Sequence, residues 1–450
     1  MSPLLINLIY NNFFENKILN NPNNFKILNF LISILFCISF LIIGKIIKGI
    51  FYFDTVSFGV VIFLVSFFIF DKTTLILNSN LLFGRLFALV ILFWALVFIV
   101  NYKKIQIKEI LALIVSYIIS FQSLDILNKS INLSTIDFLT SDEKYFWYPL
   151  SKNIYEVNYY DAIFNNYLSS YGLLIAHIHA VLNKIFSFSN EFLYFPAYKN
   201  IFFFLTIFFI FELKKSLNSK IIFSLFFSII VLTSDWFNYL FFNSLLAESI
   251  TSYFFGISIY ESMSDKGKKP SNKIVILCLG FLYFSKQFIS IFSIFFGLYI
   301  LLKNKERLSY YVLLFFGIII DLLNAIFIDT PITWSMYLNN INTSEAQTFD
   351  GIKFENIINI IKQFTIDRPV SYFIFIIFLL SIYSYIQNSF EVKNVYFIII
   401  VLNTIFVFLL YIFIWTNVEY ESSYRYLLNV LHVIIIYTLN TFDVFLNKEK

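Results

Sequence analysis

The feature that most limits what this 450-residue chain can fold into is its succession of apolar runs, separated only by short charged links. Most approach the ~20 residues that a helix needs to cross hydrocarbon. Inside a bilayer every backbone N–H and C=O must find its partner within the protein, and a helix achieves this within one segment. Charged residues make up 13% of the chain, whereas soluble domains carry roughly 25%. The expected fold is therefore all-α, a polytopic membrane protein in which residues 1–450 form a single integral membrane domain.

Runs at 27–44, 55–70, 82–101, 109–123, 199–213, 221–234, 246–260, 273–285, 287–302, 309–328, 369–386, 394–415 and 425–446 are the candidate spans. Together they predict about 13 transmembrane helices. Residues 1–26 are polar and Asn-rich, read as an interfacial segment without the pattern of a cleaved signal peptide. Much of the aromatic content, Phe 61 and Tyr 30, fits the bias of an AT-rich genome. Cys37 and Cys278 both sit in apolar runs, which argues against a disulfide framework or a Cys-based metal site.

Orientation follows from the positive-inside rule. The links at Lys45, Lys103, Lys214, 266–273, Lys303, Lys393 and the C-terminus are basic and are assigned to the cytoplasm, with the N-terminus outside. The alternation closes if the run at 168–187 does not span. That run carries His177, His179, Asn183 and Lys184, so it is expected to be an interfacial or re-entrant helix. Residues 124–198 then form an external catalytic loop plus an interfacial helix region carrying short helices, and residues 329–368 a second external loop. Asp142, Asp235, Trp236, Glu248, Lys286, Trp334, Trp415 and Arg425 all fall on the outer side. The tryptophans there suit an aromatic belt as well as a sugar-stacking surface. Lys286 and Glu248 in apolar surroundings are harder to treat as a belt, because charge at membrane depth is costly and usually functional.

Asp142 and Glu143 are the acid/base candidates. Adjacent carboxylates repel, which raises the proton affinity of at least one and suits it to general-base work. Trp147 lies four residues after Glu143, on the same face if the segment is helical. Lys152 is placed to neutralise a carboxylate or a substrate phosphate; a local ion pair is the alternative. Lys286 and Arg425, the latter between Tyr424 and Tyr426, are candidates for phosphate binding. A snorkelling lysine and an interfacial anchor are the alternatives for these two. His177 and His179 are two apart and do not share a helical face. His432 is read as a polar residue within the last span. No transition-metal motif is present in the sequence, and no cofactor is assigned. A divalent cation held by Asp142, Glu143 or Glu248 stays open. A phosphate-cradling Gly-rich loop and a Ser nucleophile elbow are also lacking.

Four elements in order resemble multi-spanning bacterial proteins similar to the GT-C glycosyltransferases. They are Asp142-Glu143 with Trp147 and Lys152; Glu248 opening a span; Ser285-Lys286-Gln287; and Ser423-Tyr424-Arg425-Tyr426. Ser141 and Phe146 depart from the Trp and His of the resembling pattern. The resemblance implies an inverting transferase in the bacterial plasma membrane, with its active site facing the periplasm or exterior. It implies a polyprenyl-phosphate-linked sugar donor and a glycan or lipid acceptor. Asp142 is then the base, with Glu143 beside it. Lys286, Arg425 and Lys152 hold the donor phosphate, and Trp147, Glu248, Gln287 and Tyr424 contact substrate or acceptor. Nucleic acid is not an expected partner. The competing readings are a surface-polysaccharide polymerase or ligase, and a transporter or flippase of lipid-linked sugars.

Overall fold

The structure, a computed structural model, describes residues 40–75, 148–156, 173–186, 191–233, 247–263, 269–333, 358, 393–413 and 428–447. The expected spans at 82–101, 109–123 and 369–386 lie outside the described residues, as does most of that at 27–44. In chain order the described helices are α1 (residues 40–51), α2 (Val56–Thr74), α3 (Tyr148–Glu156), α4 (Leu174–Phe186), α5 (Glu191–Glu212), α6 (Leu217–Thr233) and α7 (Ala247–Ser262). They continue with α8 (Lys269–Phe281), α9 (Gln287–Asn304), α10 (Leu308–Ile328), α11 (Lys393–Phe413) and α12 (Leu431–Asn447). Short 3-10 turns at Leu282–Phe284 and Leu428–Val430 precede α9 and α12. No strand occurs among the described residues. Within them, Val56–Thr73 and Leu308–Ile328 are long and apolar enough to cross a membrane.

α2 is the central helix. It touches α4, α5, α7, α8 and α10. Its start shows why the sequence breaks there. The first amides of a helix have no intrahelical partner and must be satisfied from outside. Thr55 is extended and its hydroxyl accepts from the N–H of Phe58 at 3.1 Å. The Glu212 carboxylate accepts from the N–H groups of Val56 and Ser57 and from the Ser57 hydroxyl. Glu261 accepts from the N–H groups of Asp54 and Thr55 and from the Thr55 hydroxyl. Two negative groups from the ends of α5 and α7 thus face the positive end of the α2 dipole. Lys214 also reaches Asp54, at 3.4 Å. This end of the bundle carries the α1–α2 turn, where Tyr52 adopts a positive φ.

Small residues set the closest helix crossings, as they do where helices pack without a hydrophobic drive. A Cβ on Gly59 would lie 2.1 Å from the Gly44 carbonyl oxygen, so α1 and α2 meet backbone to backbone. Leu314 of α10 is held between two further glycines. A Cβ on Gly280 of α8 would lie 2.2 Å from its carbonyl oxygen, and one on Gly297 of α9 2.4 Å from its side chain. α7 packs along α12, with Gly256 against His432.

His432 sits at the junction of α5, α7 and α12, fully buried. Its Nε2 lies 2.9 Å from Thr206 Oγ1 and its Nδ1 2.8 Å from Ser252 Oγ. The Thr206 hydroxyl donates to the Phe202 carbonyl at 2.7 Å. It therefore accepts from Nε2–H, which leaves Nδ1 to accept from Ser252. The histidine read as a polar residue of the last span is an interhelical fastener.

The run at 168–187 forms α4, whose 13 residues extend about 20 Å, short of the ~30 Å hydrocarbon thickness. Its first turns, 173–180, are buried on all sides. Of the two expected forms, interfacial or re-entrant, that burial suits a segment inserted among its neighbours. Apolar side chains such as Phe226, Phe295, Leu302, Ile326 and Leu402 point outward, a distribution suited to hydrocarbon surroundings.

Candidate functional site

The end of the bundle opposite Glu212 and Glu261 gathers a second set of charged groups. Asp71 and Lys72 occupy the last turns of α2. Consecutive helical residues point about 100° apart, so each meets a different neighbour. Asp71 accepts from His177 Nε2 of α4 at 2.7 Å. Lys72 Nζ lies 2.8 Å from Asp321 Oδ1 of α10, with the two side chains only 2% and 1% exposed. The Lys72 ammonium also stands over the Phe284 ring, 4.8 Å from its centre.

The remaining valences of this cluster are largely used. Asp321 Oδ2 accepts from the Thr333 N–H at 2.9 Å, and Oδ1 from the Thr333 hydroxyl at 3.1 Å. Asn324 donates to the Lys72 carbonyl at 3.1 Å. Tyr283 OH donates to the Thr333 carbonyl at 3.3 Å. Phe68 packs edge-on to His177 at 5.3 Å and to Phe284 at 5.1 Å, an aromatic wall between the Asp71–His177 hydrogen bond and the Lys72–Asp321 ion pair. Such pairing is required, because an uncompensated charge at this depth would be strongly destabilising. Some polar capacity is unspent. Asn324 Oδ1, Thr330 Oγ1 and both amide atoms of Asn429 are buried without a hydrogen-bond partner among the described residues. Asn429 lies four residues after Arg425 in the chain, in the 3-10 turn before α12.

Of the residues singled out in the sequence, Lys286 falls beside this cluster. α8 gives way to the 3-10 turn Leu282–Phe284, then Ser285, then Lys286 in an extended conformation as the N-cap of α9. Ser290 Oγ closes the break, its single proton within reach of both the Tyr283 and the Lys286 carbonyls at 2.7 and 2.8 Å. The break is why two short apolar runs appear instead of one. A lysine at a helix N-terminus adds its charge to the positive end of the dipole, an arrangement suited to an anion. Lys152 is half-buried on α3, which packs on α4, the helix that carries His177. Glu248 is the second residue of α7 and Gln287 the first of α9. Asp142, Glu143, Trp147, Asp235, Trp236, Trp334, Trp415, Tyr424 and Arg425 lie outside the described residues.

An apolar groove of about 460 Å³ runs between α9 and α11, lined by Ile291, Phe295, Tyr299, Ile398, Leu402 and Leu409 among others.

Asp71, Lys72 and Asp321 were not singled out in the sequence. Asp321 had a usable signal, a carboxylate in the apolar run GIIIDLLNA, where charge is costly. Asp71 and Lys72 look like the polar end of a span, and nothing in a single sequence pairs them with residues so far along the chain. No family model matches this chain, and neither the curated proteins nor the solved structures contain a match to it.

Proposed function

We propose that this chain is a membrane glycosyltransferase that moves a sugar from a polyprenyl-phosphate donor to a glycan or lipid acceptor on the extracytoplasmic side of a bacterial plasma membrane. The observation that carries the reading is the position of the Ser285-Lys286-Gln287 turn. It caps α9 at the pole of the bundle where buried charge is concentrated, and the same helix carries an apolar groove further along its length. That combination fits an anionic head with a long apolar tail. The four ordered elements of the resemblance add to it.

In this reading Asp142 takes the proton from the acceptor hydroxyl as its oxygen attacks the anomeric carbon. The bond from that carbon to the phosphate oxygen breaks, with inversion, and the lipid phosphate leaves with the electron pair. Charge grows on that phosphate, so Lys286, Arg425 and Lys152 stabilise the transition state by standing ready around it. Trp147, Glu248, Gln287 and Tyr424 hold sugar and acceptor, and a divalent cation is not required by this scheme.

A second reading, transport or flipping of a lipid-linked sugar, is favoured by one observation: the Lys72–Asp321 ion pair and the Asp71–His177 hydrogen bond are buried among the helices. Intramembrane ionisable groups of this kind mark translocation paths in many transporters.

Reconstituted vesicles with a lipid-linked sugar donor separate the two. The transferase reading expects donor consumption by the wild type and a loss of about 10²–10⁴-fold for Asp142→Asn, the usual cost of removing a general base. Glu143→Gln costs less. Equal sugar transfer by the wild type and the double variant Asp142→Asn, Glu143→Gln would end it. Movement of the donor across the bilayer without transfer would establish the second reading instead.

A further inference from the structure

We propose that the dipeptide Asp71-Lys72 is a positioning element that fixes three separate segments of the candidate site against one another; the proposal rests on the transferase reading above. Neither residue is exposed enough to touch a substrate, at 5% and 2%, so both act through their partners. Asp71 holds His177, and with it α4, the helix near the end of the first external loop region. Lys72 holds Asp321, whose carboxylate takes both the N–H and the hydroxyl of Thr333. Thr333 lies where the second external loop begins. Its carbonyl in turn accepts from Tyr283, two residues before Ser285 and three before Lys286. Phe284 completes the circuit beneath the Lys72 ammonium and against Phe68, which packs on His177.

The helix α4, the segment at Thr333 and the Lys286 turn are therefore all referenced to one turn of α2. A site assembled from loops works only when its groups are held to a fraction of an ångström by the residues behind them. A displacement of about 1 Å costs on the order of 10²-fold in rate. A purely stabilising role for the buried pair makes a different forecast. Replacing a buried ion pair by apolar residues of similar volume is often neutral for stability, so a structural pair could be exchanged without consequence. A latch could not, because an apolar side chain at position 321 offers Thr333 no acceptor.

The experiment uses the full chain in proteoliposomes, with Cys37 and Cys278 replaced by Ala and a single reporter, Ser335→Cys, in the second external loop. The double variant Lys72→Met, Asp321→Leu is expected to fold and to melt below the parent, because the buried Thr333 N–H and hydroxyl lose their acceptor. It is expected to react several-fold faster with a maleimide at position 335 and to lose about 10²-fold in kcat, with the donor KM little changed. Thr333→Val keeps the ion pair and removes only the hydroxyl. It shifts the labelling rate in the same direction by less, and carries the test if the double variant does not fold. Thr333→Ser keeps both links and restores the parent rate. Parent-like labelling and kcat in the double variant, or parent-like labelling in Thr333→Val where the double variant cannot be made, overturns the proposal. Faster labelling in a protein whose parent transfers no sugar retains the latch and removes the transferase reading. Unchanged labelling alongside active transfer by the parent does the reverse.

Discussion

The clasp at the start of α2 gives the sharpest stability prediction. Glu261 accepts from two backbone amides, those of Asp54 and Thr55, and from the Thr55 hydroxyl, and it is only 6% exposed. Glu261→Ala leaves these three donors without their acceptor. Each orphaned donor costs about 1–3 kcal/mol when buried, and partial access of water at the Asp54 side lowers the sum, so a total of about 3–5 kcal/mol is expected. Glu261→Gln keeps the shape and one acceptor oxygen but loses the charge. Charge-assisted bonds are about twice as strong as neutral ones, while removing the charge also relieves its desolvation. The net loss for Gln is therefore about 1–2 kcal/mol. The assay is the fraction of protein that survives heating as a monodisperse species, read by fluorescence-detected size exclusion at one fixed heating rate, because membrane-protein melting is rarely reversible. The midpoint should fall in the order wild type, Gln, Ala, with roughly 6–20 °C between the ends of the series, given about 2–4 °C per kcal/mol for domains of 150–250 residues. An Ala variant within 1 °C of wild type would refute the clasp. Equal losses for Gln and Ala would refute the assignment of the effect to the three acceptor bonds.

Two further substitutions probe the helix junctions. Gly59→Val drives a side chain into the Gly44 carbonyl, whose oxygen lies 2.1 Å from the would-be Cβ; overpacking of this kind costs about 1–3 kcal/mol. Gly49, with nothing within 4 Å of its would-be Cβ, is the matched control, and Gly49→Ala should gain about 0.5–1 kcal/mol in the same melting assay. At the α5–α7–α12 junction, His432→Leu removes the ring's bonds to Thr206 and Ser252 at a cost of about 1–3 kcal/mol. Adding Ser252→Ala should recover most of that loss, and a double-mutant cycle with no coupling would argue against the fastener.

Helix positions were the most legible part of the chain. The runs at 55–70, 309–328 and 394–415 correspond to Val56–Thr74, Leu308–Ile328 and Lys393–Phe413, because run length and charged ends carry that information directly. The helices run past the apolar runs: Lys45 and Lys48 lie on α1 and Asp71 and Lys72 on α2. Hydropathy registers what a side chain costs alone and not what a partner restores. The Lys286 break could be anticipated from Ser285-Lys286-Gln287 interrupting two apolar runs, and its structure, a 3-10 turn with an extended N-cap, follows from those residues. The partnerships could not be anticipated. Asp71 with His177 and Lys72 with Asp321 join points that only the packed bundle brings together.

The partners of α2 also impose an order on how the protein is made. Its bonds to His177, Ser57 to Glu212, Thr55 to Glu261 and Asn324 to the Lys72 carbonyl span 106, 155, 206 and 252 residues of chain. Synthesis proceeds at about 5–20 residues per second, so the first of these partners emerges roughly 10–30 s before the last. Throughout that interval the Lys72 ammonium has no carboxylate from α10 to meet. In the membrane reading proposed above, the C-terminal turn of α2 waits near the headgroups, or under the care of the insertion machinery, because hydrocarbon does not accept an unpaired charge. The central helix of the finished bundle is thus among the last to settle, and a nascent chain stalled before residue 321 should hold α2 incompletely inserted.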